Sequence, residues 1–197
     1  MTWQRCRGLI TSDLWRYAGK SGTGTFWEFF FSAPGFRYTV LLRLYAWSCD
    51  KRWRSLGARQ AVVLLLHHYT IRFGIDISRD ARIGSGFYIG HFGGIFVNEG
   101  VVIGDNCNIS HGVTLGQLNH GDRAGCPIIG NNVFIAPGAK IIGRMQIGNH
   151  ALVGANAVVM NDVAPHTSVG GVPARPISHS GSDGYVNRTD YPVVPAR

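Results

Sequence analysis

The chain has 197 residues, enough for one hydrophobic core with an appended segment, and 27 glycines point to a turn-rich fold rather than a disordered chain. The formal net charge of +8 is uneven, +7 over residues 1–76 and +1 over 77–197, so the N-terminal part is the one suited to an anionic partner such as a membrane surface. Cys6, Cys49, Cys107 and Cys126 lack the short spacings of zinc or redox motifs and read as reduced thiols in a cytoplasmic protein.

Residues 1–74 read as a helical, basic and aromatic region. Arg5, Arg7 and Asp13 surround too short an apolar stretch for a signal peptide, and the longest uninterrupted apolar run, Ala61–Leu66, is far below the roughly 20 residues that span a bilayer. Phe26–Phe31 is a bulky patch that ends at Pro34-Gly35. Arg37–Trp47 and Arg59–Phe73 place apolar residues at mixed three- and four-residue spacing, which predicts helices. Tyr38, Leu41, Leu42, Tyr45 and Ala46 would share one stripe.

Residues 75–176 follow a different rule. Aliphatic residues recur every six positions at Ile77, Ile83 and Ile89, then after a slip of two at Val97, Ile103, Ile109 and Leu115. The count resumes at Ile129 and runs through Ile135, Ile141, Ile147, Val153 and Val159. A six-residue period is neither helix nor simple strand; it is the repeat of a parallel β-helix, in which each hexad forms one side of a triangular coil. Residues 117–127 break the period and are expected to leave the prism as a loop. Residues 177–197 are rich in Ser, Gly and Pro and read as a flexible tail, so that deleting 180–197 is expected to be silent.

The stretches GIDISRDARIGSGFYIGH (74–91), GVTLG (112–116), GDR (121–123), IAPGAKIIG (135–143) and GGVPAR (170–175) resemble the serine acetyltransferase branch of the hexapeptide-repeat acyltransferases. With its PGFR (34–37), the N-terminal region looks most like smaller members associated with exopolysaccharide and capsule synthesis. The resemblance implies a left-handed coil, a homotrimer with sites between subunits, acetyl-CoA as co-substrate and no metal. It assigns His91 as catalytic base and Asp76, fifteen residues earlier, as its partner. The chemistry agrees: a hydroxyl needs an imidazole to take its proton as it attacks a thioester, and a carboxylate behind the ring stabilises the imidazolium. Arg123 falls on the family's acceptor-binding arginine, and Gly116, Pro137, Ala155 and Arg175 fall on its CoA groove.

Two acceptor positions depart from the pattern. Gly90 stands where the family has an acid beside the catalytic histidine, and Ala124-Gly125 replace the histidine after GDR. These losses favour a sugar hydroxyl of a surface polysaccharide or its precursor as acceptor, with L-serine as the alternative. The aromatic, basic N-terminal region suggests peripheral contact with the inner face of a membrane. His111 is equivalent to His91 in its hexad and His120 lies in the insertion, so both join Arg123 and Gly90 as candidate acceptor-binding positions; His91, His111 and His120 as a carbonic anhydrase-like metal site is a minor alternative. The chain ends Val194-Pro195-Ala196-Arg197 without the isoleucine that docks into cysteine synthase, so no such complex is expected. No nucleic-acid partner is expected either.

Overall fold

The computed structural model describes residues 1–49, 57–192 and 194. Four helices precede the first strand among these residues: α1 (Trp3–Ala18), α2 (Thr23–Ser32), α3 (Pro34–Ser48) and α4 (Ala58–Phe73). Thr2 caps α1, its hydroxyl accepting from the Arg5 N–H, and Gly19 closes the helix in the left-handed conformation. Pro34 opens α3, where its fixed φ suits the first helical turn. The sequence patch Phe26–Phe31 becomes the body of α2, which buries no residue completely. None of the described helices is long and apolar enough to cross a membrane.

From Ile75 onward the chain winds as a left-handed parallel β-helix with three faces. The first face holds β1 (Ile75–Ile77), β4 (Ile95–Val97), β7 (Thr114–Gly116), β10 (Lys140–Ile142) and β13 (Val158–Val159). The second holds β2 (Arg82–Ile83), β5 (Val102–Ile103), β8 (Ile128–Ile129) and β11 (Gln146–Ile147). The third holds β3 (Tyr88–Ile89), β6 (Asn108–Ile109), β9 (Phe134–Ile135), β12 (Leu152–Val153), β14 (Ser168–Gly170) and, antiparallel to β14, β15 (Arg175–Ser178).

The six-residue period maps onto the prism interior. Ile77, Ile89, Ile103, Ile109, Leu115, Ile129, Ile135, Ile141, Ile147, Val153 and Val159 are buried, and Ile83 is partly so. Their neighbours one position earlier point outward, so each two-residue strand supplies one inward and one outward side chain. The slip of two residues has a structural location. Ile89 pairs with Ile109, twenty residues on, whereas Val97 pairs with Leu115, eighteen on. The extra residues therefore lie at the corner between β3 and β4.

The helices are tied to the first coil by buried polar groups. Arg43 on α3 donates to both oxygens of Asp13 on α1, at 3.0 and 3.2 Å, and to the carbonyls of Ile83 and Gly84. The Phe87 N–H also donates to Asp13 at 2.8 Å. Complete burial pushes the Asp13 carboxyl above its ordinary range, and Arg43 pulls it back. Arg16 donates to the Gly86 carbonyl and the Asn108 side chain, while the Tyr17 hydroxyl accepts from the Ile89 N–H and donates to the Ile89 carbonyl.

The C-terminal segment departs from the expected flexible tail. Gly181 and Ser182 are buried. The Ser182 N–H donates to the His150 carbonyl and its hydroxyl to that of Asn132. Further on, Arg16 donates to the Asn187 carbonyl, Trp15 to Asp190, and Tyr191 to the Asn106 side chain at 2.6 Å. Composition had suggested a solvated strand of chain, but the corner of the prism offers a row of backbone acceptors that this segment satisfies. Deleting 180–197 is therefore expected to cost at least about 2 kcal/mol, since each lost bond is worth about 1 kcal/mol net. Chemical denaturation of the full-length and truncated chains checks this; an unchanged midpoint would restore the reading as a passive extension.

Candidate active site

The corner between the third and first faces gathers the predicted residues. Strand pairing places His91, His111, Pro137 and Ala155 each two positions beyond the inward residues Ile89, Ile109, Ile135 and Val153, which are in register. The four therefore stack as one column up this edge. The His91 and His111 rings lie 5.9 Å apart, nearly perpendicular, at a separation close to the coil spacing of about 5 Å. Both are exposed. His91 sits on the two-residue expansion, and Gly93 and Gly94 after it take positive φ. His91 thus keeps its place in the column while the irregular corner follows directly after it.

Asp76 approaches the same edge from the other side. It is the outward residue of β1, two positions past Gly74, whose carbonyl accepts from the Ile95 N–H across the corner. Among the described residues no hydrogen bond joins Asp76 to His91. Register continues from Asp76 to Phe96, Thr114 and Lys140 on successive coils of the first face. A shallow groove of about 370 Å³ runs over this face, lined by Asp76, Phe96, Asn98, Thr114 and Gly116 among others.

Sequence reasoning missed Lys140. Its ammonium donates to the Gly112 carbonyl at 2.5 Å and to the Thr114 hydroxyl at 3.1 Å, which fixes a cation beside the column. The available signal was a lone charge at an outward position of the Ala139-Lys140-Ile141 hexad. It also missed Tyr88. A Cβ on Gly90 would stand 3.1 Å from the Tyr88 ring, so an acidic side chain there would require the ring to move.

Other predicted residues lie elsewhere. Arg123 stands at the corner between the first and second faces, in the 117–127 excursion that an antiparallel bridge between Leu118 and Gly125 closes. Its guanidinium donates to Asp162 at 3.1 Å and Asn161 at 3.3 Å. Within one chain it does not meet His91. His120 is exposed in the same excursion, and no group of three metal-ligating side chains containing His91, His111 and His120 forms among the described residues. Arg175 is exposed at the start of β15. The cysteines offer no competing nucleophile at this edge: burial pushes the Cys6 and Cys107 thiols up to about 11 and about 12.

Two family patterns match the coil: the bacterial transferase hexapeptide (six repeats) over residues 126–161 and the hexapeptide repeat of succinyl-transferase over 93–117. The chain is 36% identical over 148 residues to a serine acetyltransferase of Synechococcus elongatus, an alignment covering 75% of this chain and 59% of that one. A solved structure of soybean serine acetyltransferase complexed with serine matches with a TM-score of 0.72 at 34% identity, covering 88% of this chain and 70% of that one. The chain belongs to the hexapeptide-repeat acyltransferases. A serine acetyltransferase from Brucella abortus in complex with coenzyme A gives a TM-score of 0.69 at 34% identity, covering 89% of this chain and 67% of that one. The chain spans about half the length of the curated relatives it matches, for example 59% and 53% of two bacterial serine acetyltransferases and 46% of that of Escherichia coli.

These likenesses overturn the expectation of a sugar acceptor. Relatives of this chain are named serine acetyltransferase, and one similar structure holds serine. The inference had rested on missing side chains at Gly90 and Ala124-Gly125, and a missing contact does not specify which other acceptor replaces the first. Nor do the relatives support the expected absence of a cysteine synthase complex; residues 195–197, on which it rested, lie outside the described part.

Proposed function

We propose that this protein transfers acetyl from acetyl-CoA to the hydroxyl of L-serine, with His91 as base. The observation that carries the reading is the exposed His91 column beside the Asp76–Gly116 groove, on a fold that matches a serine-bound serine acetyltransferase along 88% of this chain. The His91 imidazole takes the serine hydroxyl proton while the oxygen attacks the thioester carbonyl. The tetrahedral adduct collapses, the carbon–sulfur bond breaks, and the imidazolium returns the proton to the departing CoA thiolate. Asp76 stabilises the charged ring once substrate has drawn the site together. Pro137, Ala155 and Gly116 leave room for the pantetheine arm, and Lys140 and Arg175 supply cations for the CoA phosphates.

The assembly we propose is a homotrimer. Phe92, Phe96, Ile142 and Met160 are exposed around the site, an apolar rim that a second subunit would cover. Such contact would also bring the Arg123 corner of one subunit toward the His91 corner of the next, supplying the arginine that a single chain keeps apart. The domain limits we propose are 1–74 for the helical region and 75–176 for the acyltransferase coil. The basic helices, with Trp3, Trp27 and Phe31 exposed, support a peripheral contact with an anionic membrane from the cytoplasmic side.

The test is release of free CoA thiol from acetyl-CoA with L-serine as acceptor, alongside identification of O-acetylserine. Saturable product formation is expected. Absence of product with a folded protein that binds acetyl-CoA would overturn the acceptor.

A further inference from the structure

The corner between the second and third faces carries a side-chain cluster that acetyl transfer does not use. Residues 86, 106, 132, 150 and 166 occupy equivalent places on successive coils, each two before the in-register row Tyr88, Asn108, Phe134, Leu152 and Ser168. All five take positive φ, between 54° and 64°. Glycine and asparagine are the residues that tolerate this conformation best, and the first three rungs are Gly86, Asn106 and Asn132. The last two are His150 and His166. Their rings stack at 4.6 Å with only 6° between planes.

A third group completes the cluster. The C-terminal segment crosses this corner at Gly181–Asp183, where the Ser182 N–H donates to the His150 carbonyl and the Ser182 hydroxyl to the Asn132 carbonyl. Gly181, at φ +56°, passes so close to the His150 carbonyl that no Cβ fits. This anchoring delivers the Asp183 carboxylate to the two imidazoles. One ligating atom from each of His150, His166 and Asp183 lies within 4.8 Å of the other two.

We propose that His150, His166 and Asp183 bind a divalent transition metal of the zinc type, at a site separate from the acetyl-transfer edge. Two imidazoles and a carboxylate are a donor set that suits zinc, with a fourth position left for water. Tetrahedral zinc holds its ligand atoms roughly 3.3 Å apart, so the three need draw in by at most about 1.5 Å. His166 and Asp183 are exposed and can make that movement by side-chain rotation. The Asn132 amide nitrogen lies 3.3 Å from His150 Nε2; with the metal on Nδ1, Nε2 carries the proton, and the Asn132 amide turned over would present its oxygen to accept it. The metal would clip the C-terminal segment to the last coils of the prism.

The experiment uses the full chain, stripped with a chelator and titrated with Zn²⁺ by calorimetry and with Co²⁺ by visible absorption. One equivalent per chain is expected, with a Co²⁺ spectrum of low coordination number. His166→Asn keeps the corner conformation, as Asn106 and Asn132 do, so it tests ligation without breaking the fold. It should weaken Zn²⁺ at least tenfold and abolish the Co²⁺ bands while acetyl transfer stays unchanged. Asp183→Asn should also weaken binding. Equal Zn²⁺ affinity in wild type and His166→Asn, or an anomalous diffraction peak at His91 and His111 instead, would overturn the proposal.

Discussion

Replacing His91 with alanine is expected to lower acetyl transfer by about two to four orders of magnitude, the usual contribution of a positioned general base. The loss should fall on kcat, because the ring meets the acceptor proton rather than the CoA arm. Folding should be unaffected: His91 is exposed on the expanded corner and contributes nothing to the prism interior. Asp76→Asn should lose less, since it stabilises the imidazolium without taking the proton. His111→Ala is the informative control, because its ring is 5.9 Å from that of His91 and equally exposed. If His111→Ala lost activity and His91→Ala kept it, the base would be the upper ring and the assignment would be wrong. Steady-state kinetics with L-serine, together with acetyl-CoA binding by each variant, separates these outcomes.

The second large effect is expected at the Asp13–Arg43 pair. Arg43→Met removes both bonds to a carboxylate that is fully shielded from water. Among the described residues, the Phe87 N–H would remain as its one donor, and the Ile83 and Gly84 carbonyls would lose the Arg43 donor as well. Breaking one side of a buried ion pair typically costs about 3–5 kcal/mol, because the surviving charge keeps its desolvation penalty without its partner. The Asp13→Leu, Arg43→Met double variant should recover part of that loss, since no charge is then left buried. A double-mutant cycle by urea unfolding measures the coupling. A single-variant cost below about 1 kcal/mol would show that the pair is dispensable and that apolar contacts alone seat the helices.

How much of this was legible in the sequence depends on the kind of pattern. The coil was readable because burial inside a triangular prism demands an aliphatic residue every sixth position, and the slip at 90–96 and the excursion at 117–127 disturb that count without hiding it. The slip itself was visible, but its meaning was not: it marks the corner that carries His91. The column of His91, His111, Pro137 and Ala155 could be aligned by hexad counting because register in a coil follows sequence spacing. The placement of Arg123 could not, since a loop outside the repeat has no register to count. The C-terminal segment was misread for a related reason. A stretch rich in Ser, Gly and Pro looks solvated by composition, yet here its small residues allow close backbone approach, as at Gly181 and Ser182. The acceptor was misjudged because sequence reports which contacts are gone, not which groove remains.

The seating of the helices on the first coil also bears on how the molecule ends. A parallel β-helix is open at both ends, and its terminal strands expose unpaired amides and carbonyls that could accept another coil from another molecule. Here the lower rim is occupied: Arg43 holds the Ile83 and Gly84 carbonyls, Arg16 that of Gly86, and Tyr17 both backbone groups of Ile89. At the other end β15 runs antiparallel to β14 and breaks the stacking direction. The winding that builds this protein is the same arrangement that, left unterminated, grows as a fibre. The N-terminal helices act as a stopper, and their loss would turn a discrete particle into a monomer unit for end-to-end growth.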